Sequence, residues 1–195
     1  ITIQEKGNKP TSDLGDAVVF LEGRGEAPPP ARFDVTISDK VFSPHVLVVP
    51  AGSTVAFPNH DPFDHNVFSV SEPNSFDLGL YGRGEGKSQT FTNPGLVRVF
   101  CNVHPRMVAL IQVMANHHFS QPGADGMFTI TGLSPGNYRL HAWHERAPEV
   151  VKDIIVGPSG VTDLQIALDA RGFRQRSHKN KFGKDYPTNV GRERY

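Results

Sequence analysis

"VRVFCNVHPRMVALIQV", residues 97–113, places two apolar, strand-forming runs on either side of a short loop, and carries the only cysteine of the 195-residue chain. "QTFTNPGLVRVFC" reads as strand, Asn-Pro-Gly turn, strand, and "VALIQVM" as a further strand. The spacing of Cys101, His104 and Met107 is C-x2-H-x2-M. Where a strand ends in a loop that turns back, all three side chains can face one point. A fourth group must then come from a distant strand. "PNHDPFDHNVF" offers His60 and His65. His65 is the better candidate because it enters the apolar run "HNVFSV", where a strand can fix the ring, whereas His60 sits among Asn, Asp and Pro in a turn-like setting.

Reading outward, short runs rich in Val, Ile, Thr and Phe are separated by Pro, Gly, Asn and Asp, an all-β composition. Strands are expected at Phe33–Ile37, His45–Val49, Thr54–Phe57, in "HNVFSV", on both sides of the Asn93-Pro94-Gly95 turn, and in "VALIQVM". "SEPNSFDLGLYGRGEGKS" reads as a long Gly-rich connection. This spacing predicts a Greek-key sandwich from about residue 32 to 114. Upstream, "DAVVFLEG" reads as a strand before the triple-proline linker, since prolines cannot donate to a ladder. Downstream, alternation through Met127–Thr131 and Tyr138–Trp143, and two further runs around Gly157-Pro158-Ser159-Gly160, predict a second, smaller β-sandwich.

A thiolate, two imidazoles and a weak thioether form the ligand set of a blue-copper electron-transfer site. Thiolate and thioether favour Cu(I), and imidazole accepts Cu(II). Methionine is a poor zinc ligand, which argues against zinc. A Cys-His nucleophilic pair would need an orienting third group that the sequence does not offer.

"CNVHPRM" resembles the copper loop of the cupredoxins, with the C-x2-H-x2-M spacing of amicyanin rather than the longer gap of plastocyanin. "FSPHVLVVPAGSTVAFPNHD" and the following His-Asn are similar to the cupredoxin run that leads a strand to Asn and then His. The resemblance covers about residues 32–114. It implies one type 1 copper bound by His65, Cys101, His104 and Met107, with Asn66 bracing the loop by a hydrogen bond near the thiolate. Arg106 departs from amicyanin-like loops, which have an apolar residue there, and puts a cation beside the expected electron port, ringed by Pro62, Phe63 and Pro105.

"DGMFTITGLSPGNYRLHAWHE" resembles the carboxypeptidase-regulatory-like, or transthyretin-like, sandwich. Such modules start with a strand shaped like "GDAVVFLEG", so residues 1–27 and 115–170 are expected to form one domain into which the cupredoxin is inserted. His141 and His144 differ in parity and should point to opposite faces, and His117-His118 reads as a solvated strand end. These histidines are not expected to form a second metal site.

Residues 171–195 hold eight Lys/Arg against two Asp/Glu, although the whole chain has formal net charge zero. This basic tail faces an acidic body and shows neither period, so docking across the body, or self-association through the tail, is expected rather than nucleic-acid binding. No run approaches the ~20 apolar residues of a membrane span. The arrangement resembles exported bacterial plastocyanin-like and methylamine-utilisation-like proteins, and a sequence opening at Ile1 without a leader is in keeping with a signal peptide already removed. Together these features imply a periplasmic electron carrier, not an enzyme, that cycles Cu(I)/Cu(II) between a protein donor and acceptor such as a cytochrome or an oxidoreductase. The alternative is a copper carrier or sensor without redox cycling.

Overall fold

A computed structural model describes residues 1–7, 11–23, 25–175 and 177–186. Its architecture is all-β, with one short 3-10 turn at Leu14–Asp16. Two compact units are distinguished: residues 1–27 with 115–175, and residues 28–114 with 177–186.

The second unit is a sandwich of two five-stranded sheets. In one, the order is Gly84–Phe91, Ser53–Asn59, Thr36–Ser38, Val41–Ser43, with Arg32–Asp34 also pairing on Ser53–Asn59. In the other it is Val46–Pro50, Val108–Met114, Gly95–Phe100, His65–Ser69, Phe76–Tyr81. Antiparallel pairing of Gly95–Phe100 with Val108–Met114, from Gly95 opposite Val113 to Phe100 opposite Val108, leaves residues 101–107 as the connecting loop. Inward-facing Val97, Val99, Ala109, Ile111 and Val113 pack on Ile37, Phe42, Val55, Phe57 and Phe91 from the facing sheet, all buried. Fully burying each such aliphatic or aromatic side chain is worth about 1.5–3 kcal/mol. Cys101 and Met107 belong to this same cluster. The loop between them therefore starts and ends in the packed core of the unit.

The Gly-rich connection expected around residues 71–88 instead forms two strands, Phe76–Tyr81 and Gly84–Phe91. Glycine hides the pattern here because backbone geometry, not side-chain alternation, decides it. Gly86 has φ +73°, and a Cβ there would meet the Phe57 carbonyl oxygen at 1.9 Å, within the register shift between Gly84 and Lys87. Gly86→Ala is expected to destabilise the unit by at least about 2 kcal/mol, through left-handed backbone strain plus displacement of the neighbouring strand. Denaturant unfolding of the full chain measures it.

In the first unit, Val18–Leu21 lies between Phe119–Ser120 and Gly136–His144, and Ala147–Val156 completes a four-stranded sheet in which the last two strands form a long hairpin. Thr2–Gln4 pairs in parallel with Ala167–Asp169. Ala17, Val19, Leu21, Leu140, Ala142, Ile166 and Leu168 form the core. The strand expected at Met127–Thr131 is not formed. Its alternation is real, but the segment joins no ladder among the described residues: the Thr129 N–H donates to the Ser120 hydroxyl oxygen at 3.4 Å, and the segment lines a cavity of about 1100 Å³ facing Leu164 and Ile166. Likewise only Ala167–Asp169 of the last expected run joins a ladder.

The tail does not behave as one segment. Residues 171–175 stay with the first unit, and 177–186 pack on the second. The remainder of the basic tail, 187–195, lies outside the described residues.

Candidate metal centre

His65 opens the His65–Ser69 strand and is fully buried, whereas His60 is exposed. Cys101 follows the Gly95–Phe100 strand directly and is also fully buried. The loop after it is closed by its own backbone: the Met107 N–H donates to the His104 carbonyl at 3.1 Å, and the Cys101 N–H to the Met107 carbonyl at 3.3 Å. His104 is thereby turned back toward the cysteine.

The three donor atoms form a tight triangle. Cys101 Sγ lies 3.8 Å from His65 Nδ1 and 3.6 Å from His104 Nδ1, and the two Nδ1 atoms are 3.2 Å apart. The point equidistant from all three is about 2.1 Å from each, within the about 2.0–2.3 Å span of metal–imidazole and metal–thiolate bonds. Among the described residues, this is the one group of His, Cys, Asp and Glu side chains close enough to share an ion. Met107 is 1% exposed in the same core cluster.

The imidazole tautomer of His65 is set from behind. Its Nε2–H donates to Asp61 Oδ2 at 2.8 Å, which leaves the Nδ1 lone pair directed into the triangle. Asp61 is in turn fixed: its carboxylate accepts the backbone N–H groups of Asp39 at 2.7 Å and Lys40 at 3.0 Å. Those two residues have φ of 54° and 59°, the geometry of a tight type I′ hairpin, here between Thr36–Ser38 and Val41–Ser43. Asn59 completes the frame, accepting the Asp61 N–H at 2.9 Å and donating to the Phe63 carbonyl at 3.0 Å. Burial opposes ionisation of Asp61, but the hydrogen bonds from Lys40, His65 and Asp39 outweigh it and hold the carboxyl below its ordinary range. Burial pushes the basicity of His65 down against the pull of Asp61, so the ring is neutral and available as a ligand. Burial also pushes the Cys101 thiol up, while backbone N–H groups of Asn66, Val103 and His104 favour the thiolate; the Val103 N–H lies 3.4 Å from the sulfur.

Asp61 is the residue that the sequence reading missed. Its one signal is the i, i+4 spacing to His65 across Pro62 and Asp64. The expected role of Asn66 also changes. Its side-chain amide donates to Asp77 Oδ1 at 2.7 Å rather than to the ligand loop, and it is the Asn66 backbone that supports the sulfur.

Of the expected port residues, Phe63 packs its ring against His65 and His104, with centroids 5.2 and 5.7 Å away. His104 and Pro105 are half-buried, and Pro62 and Arg106 are exposed. Lys40 lies 5.1 Å from the Phe63 ring centre. The edge of the site around His104 is thus apolar with cations at its margin.

Three of the other histidines have hydrogen-bond partners of their own. His141 Nδ1 meets Glu149 Oε1 at 3.0 Å, and His144 Nδ1 accepts the Arg146 N–H at 3.2 Å. His117 Nδ1 donates to the Glu26 carbonyl at 2.8 Å.

Residues 31–114 match the family model "Copper binding proteins, plastocyanin/azurin family" and form a cupredoxin domain. No curated protein matches the chain. Among solved structures, similarity is found to a Cu-containing nitrite reductase from Thermus scotoductus SA-01, 31% identical over 47% of this chain, with a TM-score of 0.40. The chain spans only 24% of that protein's length. A purple cupredoxin from Nitrosopumilus maritimus is 24% identical over 43% of this chain and 99% of its own, with a TM-score of 0.37. A reduced mutant of amicyanin is 26% identical over 42% of this chain and 80% of its own, with a TM-score of 0.40. His65, Cys101, His104 and Met107 are the candidate ligands for one type 1 copper.

Proposed function

We propose that the chain is an exported electron carrier that passes single electrons between protein partners through one copper held by His65, Cys101, His104 and Met107. The observation that carries this reading is the triangle of two Nδ1 atoms and one Sγ, sized for a metal ion and anchored at both ends in a packed sandwich. The metal supplies one-electron redox chemistry when bound. The protein supplies the rest. With the metal bound, Cys101 would bring a thiolate that backbone N–H groups favour, His65 is locked by Asp61, and Met107 would add a soft thioether. A site fixed this firmly rearranges little between oxidation states. The half-buried His104 ring is the way out for the electron, and Phe63, Pro105, Arg106 and Lys40 form a face suited to an acidic redox partner. No bond of a substrate is made or broken in this reading, and periplasmic location rests on resemblance.

The first unit serves as an accessory sandwich of the regulatory-like kind into which the copper domain is inserted. Support comes from Val18–Leu21, which pairs with Phe119–Ser120 and Gly136–His144. Among the described residues, no helix is long and apolar enough to cross a membrane.

The distinguishing experiment is repeated reduction and reoxidation of the copper-loaded full chain in the presence of a Cu(I) chelator. An electron carrier keeps its copper and its visible spectrum through many cycles. Loss of copper to the chelator in the first cycles would instead identify a carrier or sensor that delivers the metal.

A further inference from the structure

Residues 177–186 form no strand, yet they grip the copper loop from outside. The Tyr186 phenol donates to the carbonyl oxygen of Cys101 at 2.7 Å. The Lys181 backbone N–H donates to Asn102 Oδ1 at 2.9 Å. The His178 ring stacks on Phe100, with centroids 4.4 Å apart and planes at 23°, and the Tyr186 ring sets its edge against His178 at 5.3 Å. Three consecutive residues, Phe100, Cys101 and Asn102, are therefore each held by this segment.

A second arm reaches the sulfur by another route. Lys181 Nζ pairs with Asp77 Oδ2 at 2.6 Å, and Asp77 Oδ1 accepts from Asn66 Nδ2 at 2.7 Å. The Asn66 backbone N–H is one of the groups directed at Cys101. The gripping segment has its own internal bonds: Asn180 Oδ1 accepts the N–H groups of Phe182 and Lys184, both at 3.0 Å, and the Lys184 carbonyl accepts the Asn180 N–H at 2.9 Å. Internal bonds of this kind lower the chain-entropy cost of holding the segment in place.

We propose that residues 177–186 are a clasp for the cysteine ligand, in which Tyr186 and Lys181 act as positioning residues that hold Cys101 and tune its sulfur. The inference rests on the copper reading above. Its physical basis is twofold. The contacts oppose local opening of the seven-residue loop, which its strand end alone would otherwise permit. The Tyr186 hydrogen bond also draws electron density out of the peptide next to the sulfur. That favours the reduced, electron-rich state of the site, since hydrogen bonding around the cysteine sets the potential of such centres.

The test uses the full chain with Tyr186→Phe, Lys181→Met and both, and with Ile155→Ser as a control at a side chain that is 76% exposed in the first unit. In copper-free protein, the rate of alkylation of Cys101 under native conditions reads the opening of the loop. Loss of one neutral hydrogen bond, about 1 kcal/mol, corresponds to labelling about fivefold faster in Tyr186→Phe, with Ile155→Ser unchanged. Lys181→Met acts from the Asp77 side and keeps the test decidable should Tyr186→Phe perturb folding. After copper loading, Tyr186→Phe is expected to lower the reduction potential and move the thiolate absorption band, which a merely structural contact would leave in place. Equal labelling in all the proteins overturns the clasp, as does an unchanged potential and band in Tyr186→Phe. If the wild-type chain takes up no copper while the labelling differences appear, the metal reading falls and the clasp stands as a restraint on the loop.

Discussion

Cys101→Ser is expected to abolish the visible absorption that Cu(II) gives with the full chain. The intense band of such a site is charge transfer from thiolate sulfur to copper, and a serine hydroxyl remains protonated at neutral pH and lacks the soft donor. Binding weakens as well. Structural zinc sites in zinc-finger peptides are worth about 10–16 kcal/mol, and on that scale removing the one anionic ligand is expected to cost about 100-fold or more in affinity. The substitution nearly conserves volume at a fully buried position, so the sandwich should fold and the loss should be confined to the metal. Residual weak absorption that is the same in both proteins would place the copper on other histidines.

Asp61→Ala is expected to have the second-largest effect, although Asp61 is not a ligand. Its carboxylate fixes the His65 ring and also anchors the left-handed Asp39–Lys40 turn. Removing the carboxylate leaves the His65 Nε2–H without its acceptor in a fully buried setting and lets the ring rotate out of the triangle. Loss of such an outer partner lowers metal affinity about 10- to 100-fold. Hydrogen bonds to a charged acceptor are worth about 1.5–3 kcal/mol, so a stability loss of at least about 2 kcal/mol is expected too. Asp61→Asn keeps the shape and loses the charge, and should fall between. Copper titration against a competing chelator, together with denaturant unfolding, separates the two effects.

The ligand loop and its flanking strands were legible because their information is local. Short apolar runs on either side of the loop state that it joins two strands, and the chemistry of Cys, His and Met states what the loop can hold. His65 could be preferred to His60 on the same ground, since an apolar run implies a strand and a strand implies a fixed ring. What escaped the sequence was geometry carried by glycine and by distance. Gly84 and Gly86 shape a strand that has little side-chain pattern to reveal it, and the alternation at Met127–Thr131 promised a ladder that needs a partner edge elsewhere in the chain. Asp61 gained its role only because a hairpin more than twenty residues upstream presents two N–H groups to it. Tyr186 lies 85 residues from Cys101, and a single phenol reaching a backbone carbonyl leaves no periodic trace.

Backbone N–H groups on the sulfur, a carboxylate behind His65 and the phenol on the Cys101 carbonyl all come from elements packed into one unit. On the proposed reading, groups oriented in this way would need little reorganisation when an electron is transferred.

Anomalous diffraction at the copper edge, from crystals of the copper-loaded full chain, tests the central claim most directly. The account predicts one strong peak at bonding distance from His65 Nδ1, His104 Nδ1 and Cys101 Sγ, with Met107 on its core side. A peak only at His117 and His118 or at other surface histidines, or a His65 ring turned away from the ion, would contradict it.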